Sequence, residues 1–321
     1  MSSAIEKAKE IAEKVTGQEN TGEGDKTKYS SSFQHPAQSQ KHPGLERDLD
    51  PRPVKAHLPT EDDGYQLYSP AGKLQGKRAL ITGGDSGIGR AVAILYAMEG
   101  ASVAITYLPD ELEDALHTKT QVEKNSGTIH LIAKDLRSRN AAQEVIEQAV
   151  SGLGGLDILV NNAAYELEQE DISNISEEQY LCTIETNLTA PFFLSKHALR
   201  HMGKGSSIIN TVSVDAYVGP PSHLDYSVSK GGLVSFTRTL ANQQARNGIR
   251  VNAVAPGPIW TPFIPAAVSK ESQKSLPDAT VMKRFGQPVE VATSFVFLAA
   301  QDSSYMTGQV LHPNGGMAVV S

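Results

Sequence analysis

A tyrosine and a lysine spaced by one helical turn, Tyr226-Ser-Val-Ser-Lys230, are the residues of this chain with the clearest chemical use. Side chains four residues apart lie on one face of a helix, so the phenol and the ammonium can enter the same cleft. A nearby ammonium favours tyrosinate and is expected to lower a phenol pKa from about 10 toward the pH of general acid–base catalysis. Taken alone, such a pair is typical of an exposed tyrosine beside a solvated lysine.

A glycine-rich segment, Thr82-Gly-Gly-Asp-Ser-Gly-Ile-Gly-Arg90, is the second chemical signal. It follows a strand-like run and precedes an amphipathic, helix-length segment. A tight turn that lets a pyrophosphate approach the backbone needs residues without a Cβ. The N-terminus of the following helix then offers unpaired N–H groups to the phosphates. In this βαβ context the segment predicts a dinucleotide site.

The elements that must position these groups alternate along residues 71–321, which we interpret as one NAD(P)-binding domain. Strand-like runs occur at 78–82, 102–107, 128–133, 156–161, 207–212, 250–254 and 309–311, and helix-length segments at 87–99, 110–125, 141–153, 177–202, 226–247 and 289–299. Several strands are continuous apolar runs, which is typical of a parallel sheet covered on both faces. The order predicts an α/β fold with a Rossmann-type doubly wound parallel sheet.

Residues 1–70 have a different composition from the rest of the chain. About a quarter of them are apolar, against about 43% of the remaining residues. The stretch 16–59 is rich in Gln, Ser, Gly, Pro and Lys and has no sustained periodicity. We expect a disordered or loosely draped low-complexity extension, with a short helix at 3–15.

Composition also excludes several functions. The chain has 321 residues, a formal net charge of -7 and one cysteine, Cys182. An acidic balance gives no general affinity for nucleic acid or anionic lipid, and every apolar run is shorter than the roughly 18 residues of a membrane span. The nine histidines show no metal-ligand spacing. We therefore expect no metal, no nucleic-acid or membrane partner and, because a lone cysteine cannot form an internal disulfide, a cytoplasmic location.

The glycine spacing Thr-Gly-x-x-x-Gly-x-Gly resembles the signature of the short-chain dehydrogenase/reductase family, and the resemblance covers most of residues 71–317. Asp135 matches the family aspartate beside the adenine ring. Asn161-Asn162-Ala163-Ala164 closely matches the family motif Asn-Asn-Ala-Gly, with Ala164 acceptable if its backbone needs no positive φ. The long extension and the run Pro256–Thr261 look most like the glucose/ribitol dehydrogenase-like branch.

The resemblance implies a catalytic set of Asn187, Ser213, Tyr226 and Lys230. Ser213 stands thirteen residues before Tyr226, at the end of a strand, as the family's catalytic serine does. By resemblance Tyr226 exchanges the proton of the substrate oxygen, and Ser213 orients that oxygen. Lys230 lowers the tyrosine pKa and bonds the nicotinamide ribose, while Asn187 holds a water in a proton relay.

The resemblance also implies the cofactor contacts, of which Ile259 and Thr261 would meet the nicotinamide carboxamide. These contacts are Gly83, Asp85, Ser86, Gly87, Ile88, Gly89, Tyr107, Asp135, Leu136, Asn162, Ala163, Tyr226, Lys230, Pro256, Gly257, Ile259 and Thr261. A carboxylate at the end of the second strand would bond the ribose of NAD and repel a 2′-phosphate. Thr106-Tyr107-Leu108 at that place has none, which favours NADP(H). No Arg or Lys ends the strand either, so NAD(H) stays open.

Substrate contacts are expected from Val214, Asp215, Tyr217 and Tyr165, with the polar, proline-interrupted stretch 262–280 as a mobile lid. The first hypothesis is an NADP(H)-dependent oxidoreductase that interconverts a carbonyl (an aldehyde, a ketone or a specialised metabolite) and an alcohol. One alternative is an NAD-dependent sugar or polyol dehydrogenase. Another is a non-catalytic nucleotide-binding regulatory protein, against which the complete Ser-Tyr-Lys set argues. The resemblance further implies a homotetramer.

Overall fold

The computed structural model describes residues 28–61, 64–138 and 140–319, and the helix predicted at 3–15 lies outside them. A small antiparallel hairpin of β1 (His57–Pro59) and β2 (Tyr65–Leu67) comes first. The main sheet of the described chain has seven parallel strands in the order β5-β4-β3-β6-β7-β8-β9. They are β3 (Arg78–Ile81), β4 (Ser102–Tyr107), β5 (Ile129–Ala133), β6 (Ile158–Asn161), β7 (Ser207–Thr211), β8 (Arg250–Val254) and β9 (Val310–Leu311).

Helices cover both faces of this sheet. They are α1 (Gly87–Met98), α2 (Leu112–Lys124), α3 (Ala141–Leu153), α4 (Glu177–Ile184), α5 (Ala190–Ala198), α6 (Asp215–Val218), α7 (Leu224–Gln244), α8 (Phe263–Ala267), α9 (Lys270–Ser275) and α10 (Pro288–Ala299). Ala79 and Ile81 of β3 point into an apolar cluster under α1, α2 and α10. Leu80 between them points into a second cluster under α3, α5 and α7. Alternate side chains of a strand face opposite layers, and the predicted Rossmann-type doubly wound sheet is confirmed.

The long helical stretch predicted at 177–202 is helical from Glu177 to Ala198, but the type of helix changes in its middle. α4 and α5 are separated by a π-helical turn at Glu185–Thr189. Pro191, which has no N–H to donate, stands in the first turn of α5 directly after this π turn, in which the N–H of Ala190 donates to the carbonyl of Glu185. A π turn inserts one extra residue into the helix, and this one contains the fully buried Asn187.

The described part of the extension differs from the loose chain that its composition predicts. We call residues 28–56 the strap. Leu49 and Val54 of the strap are buried, and the indole N–H of Trp260 donates to the carbonyl of Pro51 at 2.7 Å. Composition missed this packing because a few apolar anchors and many backbone hydrogen bonds to the domain suffice, without periodicity in the strap itself.

None of the helices in the described ranges is both long enough and apolar enough to cross a membrane.

Candidate active site

The carboxyl ends of the parallel strands open into a cavity of about 520 Å³. Such a crevice outside the strand ends is where open α/β sheets bind ligands. All but one of the predicted cofactor contacts line it, and the exception, Gly89, lies beneath the glycine turn. Ser213, Val214 and Asp215 line the same cavity. The structure therefore brings the residues expected to bind a dinucleotide and those expected to be catalytic, Ser213, Tyr226 and Lys230, into one cavity.

The glycine turn between β3 and α1 depends on residues without a Cβ. Gly83 has a φ of 60°, a left-handed conformation that side chains disfavour. A Cβ on Gly89 would stand 2.0 Å from the carbonyl oxygen of Gly83. The turn therefore brings α1 close to β3 and points the helix N-terminus into the cavity, which fits the pyrophosphate of a dinucleotide. Ala164 is not among the described residues with positive φ, so its side chain is tolerated.

Ser213, Tyr226 and Lys230 meet at the end of β7. Ser213 and Tyr226 both line the cavity, and the Ser213 hydroxyl lies close enough to the phenol to affect its pKa. Lys230 Nζ lies 5.4 Å from the centre of the Tyr226 ring and donates to the carbonyl of Thr211 at 2.8 Å. Tyr226 and Lys230 are both buried residues of α7.

The expected lowering of the Tyr226 pKa by Lys230 is wrong for this arrangement. Burial raises the pKa of Tyr226 well above its ordinary value, and the charges of Glu166 and Asp215 raise it further. The Ser213 hydroxyl opposes this rise in the pKa without reversing it. Burial also lowers the pKa of Lys230 to about 8, against the opposing charges of the same two carboxylates. The phenol therefore stays protonated at neutral pH.

Asn187 positions the loop after β6. Its amide oxygen accepts from the backbone N–H of Tyr165 at 2.8 Å, and its amide nitrogen donates to the Tyr165 carbonyl at 2.8 Å. The same nitrogen donates to Ser229 Oγ at 3.0 Å, which ties the loop to α7. Asn187 does not line the cavity among the described residues. Its expected part in a water relay stays a prediction.

Carboxyl groups line the part of the cavity near the ends of β4 and β5. Asp135 pairs with Arg137, whose guanidinium reaches it at 2.7 Å and holds the pKa of Asp135 below its ordinary value. Burial raises the pKa of Asp85 to about 7, although Arg90 opposes the shift. Burial and the neighbouring Asp85 raise the pKa of Glu111 to about 8. Glu111 accepts from the backbone N–H of Leu108 at 2.8 Å, so its carboxylate caps the turn that follows β4.

Three side chains form a cluster at the cavity, and the sequence predicted only one of them as a site residue. His223 Nδ1 lies 2.9 Å from Asp215 Oδ2 and 3.0 Å from Glu166 Oε1. Only Asp215 was expected here, and no local sequence signal links the three loops. Within the described ranges they are the one group of His, Cys, Asp and Glu whose donor atoms lie close enough to hold a metal ion, all within 4.8 Å. We call Glu166, Asp215 and His223 the acidic cluster.

The strap also reaches the site, which the sequence did not indicate. The Glu46 carboxylate accepts from the backbone N–H of Gly87, the first residue of α1, at 2.7 Å. It also pairs with Arg90 and Lys55 in the interior. His42 lines the cavity and stacks on Tyr165 with ring centres 4.6 Å apart.

The predicted lid lies over the cavity, whereas Tyr217 does not line it within the described chain. Several residues of 262–280 face the cavity: Pro262, Phe263, Ile264, Val268, Leu276 and Ala279. The strap holds this stretch, because Gln40 N–H donates to the Pro265 carbonyl at 2.9 Å and Gln273 donates to the Gln38 carbonyl at 2.8 Å. Tyr217 instead packs against His312, with ring centres 5.0 Å apart.

Comparison with known proteins agrees with this site. Residues 83–318 match a family model described as enoyl-(acyl carrier protein) reductase. The chain is 52% identical over 276 residues to NADPH-dependent aldehyde reductase 1, chloroplastic, of Arabidopsis thaliana, covering 84% of this chain and 96% of that protein. It is 46% identical over 296 residues to glucose and ribitol dehydrogenase of Daucus carota, covering 90% and 99%.

A solved structure shows the same fold. A short-chain dehydrogenase from Burkholderia cenocepacia in complex with NADP is 32% identical, has a TM-score of 0.71, and is matched over 76% of this chain and 99% of that one. The residues that the family model matches include most of the glycine turn, from Gly83 on, and Ser213, Tyr226 and Lys230. The chain therefore belongs to the short-chain dehydrogenase/reductase family of oxidoreductases, alongside the relatives named glucose and ribitol dehydrogenase.

Proposed function

We propose that the protein is an NADP(H)-dependent oxidoreductase that reduces aldehydes or ketones to alcohols, with Tyr226 as the proton donor. The observation that carries this proposal is the convergence of Ser213, Tyr226 and Lys230 in the cavity that the glycine turn opens into, with Lys230 Nζ 5.4 Å from the centre of the Tyr226 ring. A phenol that stays protonated at neutral pH suits reduction, in which the substrate oxygen must receive a proton.

The side chains divide the work as follows. When bound, the reduced nicotinamide supplies a hydride to the carbonyl carbon. Ser213 donates a hydrogen bond that orients the carbonyl oxygen, and Tyr226 gives that oxygen its proton. Carbonyl, hydride and proton together make the alcohol, so the step is balanced once Tyr226 is reprotonated. The ammonium of Lys230, on the next turn of α7, stabilises the negative charge that Tyr226 then carries.

The choice of NADP(H) is supported at the end of β4. Thr106 and Tyr107 place no carboxylate where one would bond the ribose of NAD. Glu111, the buried acid nearby, is engaged by the backbone of Leu108. With pKa values raised to about 7 and 8, Asp85 and Glu111 lose part of their negative charge near neutral pH. Both effects reduce repulsion of a 2′-phosphate, in line with the NADPH-dependent relative of Arabidopsis thaliana.

This cofactor assignment predicts a pH dependence. Below their pKa values the acids are neutral, and above these values each adds a negative charge. The affinity for NADPH relative to NADH should therefore fall as pH rises from about 6 to about 9. Fluorescence titration of both cofactors across this range measures the ratio. The Asp85→Asn variant should show a flatter profile, whereas an unchanged ratio in the parent protein would remove Asp85 and Glu111 from the explanation.

Turnover assays test the function itself. Purified protein is mixed with NADPH or NADH and a panel of aldehydes, ketones and quinones, and the loss of reduced cofactor is followed by absorbance. We expect turnover with at least one carbonyl and a preference for NADPH. Tight cofactor binding without turnover of any carbonyl would instead favour a regulatory nucleotide-binding protein.

A second candidate, an NAD-dependent sugar or polyol dehydrogenase, is favoured by the similarity to the carrot glucose and ribitol dehydrogenase. The same residues would serve the oxidation of an alcohol, in which Tyr226 accepts the proton of the alcohol hydroxyl. Assays with NAD⁺ or NADP⁺ and glucose, ribitol or sorbitol distinguish the candidates, because the oxidative enzyme should prefer NAD⁺ and turn over polyols faster than it reduces simple aldehydes.

A homotetramer is part of the proposal. Helices α4, α5 and α7 each carry two large apolar side chains that are exposed on the surface of the chain. They are Tyr180 and Leu181 on α4, Phe192 and Phe193 on α5, and Leu224 and Val228 on α7. Exposed apolar surface of this kind is typical of subunit contacts. Analytical ultracentrifugation gives the subunit number, and a monomer at all concentrations would contradict the proposal. The cytoplasmic location expected from the lone Cys182 stays a prediction.

A further inference from the structure

We propose that the acidic cluster is a subsite that binds a hydroxyl group of the substrate, so that the enzyme prefers hydroxylated aldehydes and ketones. This inference rests on the proposed function and names its substrate class. It adds Glu166 and His223 to the residues that select the substrate, together with Asp215.

The cluster lies beside the reacting groups. Glu166, Asp215 and His223 all line the same cavity as Tyr226. The backbone N–H of Asp215 donates to Ser213 Oγ at 3.1 Å. This hydrogen bond connects the acidic cluster to the serine that is proposed to orient the carbonyl. His223 directly precedes α7, which carries Tyr226 in its first turn. A hydroxyl close to the carbonyl of a small substrate therefore falls within reach of the cluster.

One acceptor in the cluster lacks a hydrogen-bond partner. The Glu166 side chain is buried, with 3% of its surface exposed. Its Oε1 accepts no hydrogen bond from any described residue, although His223 Nδ1 is 3.0 Å away. The single N–H at Nδ1 is bonded to Asp215 at 2.9 Å, and one N–H serves one acceptor well. Buried acceptors are rarely left unpaired because the loss of water is costly, and a substrate O–H supplies the missing donor.

The local charges favour a neutral donor. When ionised, Glu166 and Asp215 carry two negative charges, and the His223 imidazolium and the Lys230 ammonium carry two positive ones. An ammonium substrate would meet both cations, whereas a hydroxyl adds no charge. His223 Nδ1 lies within ion-pair distance of both carboxylates, 2.9 Å from Asp215 and 3.0 Å from Glu166.

A pair of three-carbon aldehydes tests the subsite. Glyceraldehyde and propanal differ only in two hydroxyl groups, and kcat/KM is measured for both with saturating NADPH. We expect the parent protein to prefer glyceraldehyde by about 10- to 100-fold, the worth of a hydrogen bond to a charged group. Glu166→Gln and Asp215→Asn should each reduce this preference about 10-fold. The ratio cancels any effect of the variants on Tyr226, since both substrates need its proton.

The controls separate the subsite from folding and from the proposed function. Glu170→Gln changes an exposed carboxyl four residues farther along the same loop and should keep the parent ratio. Thermal unfolding and NADPH affinity show that each variant is folded, and Asp215→Asn carries the test if Glu166→Gln does not fold. Equal kcat/KM for the two aldehydes in the parent protein would overturn the subsite and leave the reductase intact. Absence of turnover with every carbonyl would overturn the proposed function and the subsite together.

Discussion

Tyr226→Phe is expected to lower kcat/KM for carbonyl reduction by about 10²- to 10⁴-fold, the usual contribution of a positioned proton donor. The variant keeps the ring that packs 6.0 Å from Phe263 and removes only the hydroxyl. That hydroxyl lies in the cavity with Ser213 and is the group proposed to protonate the substrate oxygen. Steady-state kinetics with NADPH and the best aldehyde of the panel measure the loss.

Cofactor binding separates this effect from a damaged site. The glycine turn, Asn162 and Lys230 remain in the variant, so its Kd for NADPH should change by less than about 3-fold. Tyr305→Phe is the matched control, since Tyr305 is fully exposed, at 103% relative accessibility, and this change should leave kcat/KM unaltered. Retained turnover in Tyr226→Phe would refute the proton-donor assignment.

Glu46→Ala should destabilise the protein by about 3–5 kcal/mol, the cost of removing one partner from a buried ion pair. Arg90 and Lys55 lose their shared carboxylate in the interior. The backbone N–H of Gly87 loses its acceptor at 2.7 Å. Because Gly87 begins the helix that faces the dinucleotide site, NADPH affinity should fall as well. Urea unfolding and fluorescence titration measure the two losses.

The effect of Glu46 should depend on pH with a defined sign. Burial alone would raise its pKa, but Arg90 and Lys55 outweigh burial and leave the pKa below the ordinary value. A carboxyl group of this kind stabilises the fold above its unfolded pKa of about 4.3 and loses that contribution as pH falls through its folded pKa. The stability gap between parent and Glu46→Ala should therefore be full at neutral pH and shrink in acid.

Asp48→Asn is the control for the strap, since Asp48 lies two residues away and is exposed. It should change the free energy of unfolding by less than about 0.5 kcal/mol, as surface substitutions do. If Glu46→Ala had the same free energy of unfolding and the same Kd for NADPH as the parent protein, the contacts of Glu46 would contribute neither to stability nor to cofactor binding.

Much of the fold and the reactive pair were predictable from the sequence because both rest on local patterns. Continuous apolar runs between amphipathic segments predicted the parallel sheet, and the structure matches several boundaries, such as β4 at Ser102–Tyr107 and α3 at Ala141–Leu153. The spacing of Tyr226 and Lys230 placed them on one helix face. The π turn at Glu185–Thr189 was not predicted, because it keeps the helical spacing of its neighbours to within one residue.

The pKa of Tyr226 could not be predicted from spacing. The sequence places Lys230 one turn away, but burial and two carboxylates decide the direction of the shift. Lys230 Nζ is directed to the Thr211 carbonyl, a backbone group that a sequence pattern does not reveal. Glu166 and Asp215 come from loops after different strands, so their influence on the phenol depends on how the sheet arranges those loops.

By itself, then, the sequence determined the order of strands and helices, the glycine turn and the pairing of Tyr226 with Lys230. These features depend on residues within a turn or two of one another, where period and spacing carry the information. Tertiary structure decided that the apolar-poor strap brings Glu46 to Gly87, 41 residues away, and that Glu166 meets His223. Such contacts form only when the packed sheet brings distant loops together, because neither partner has a local pattern that specifies the other.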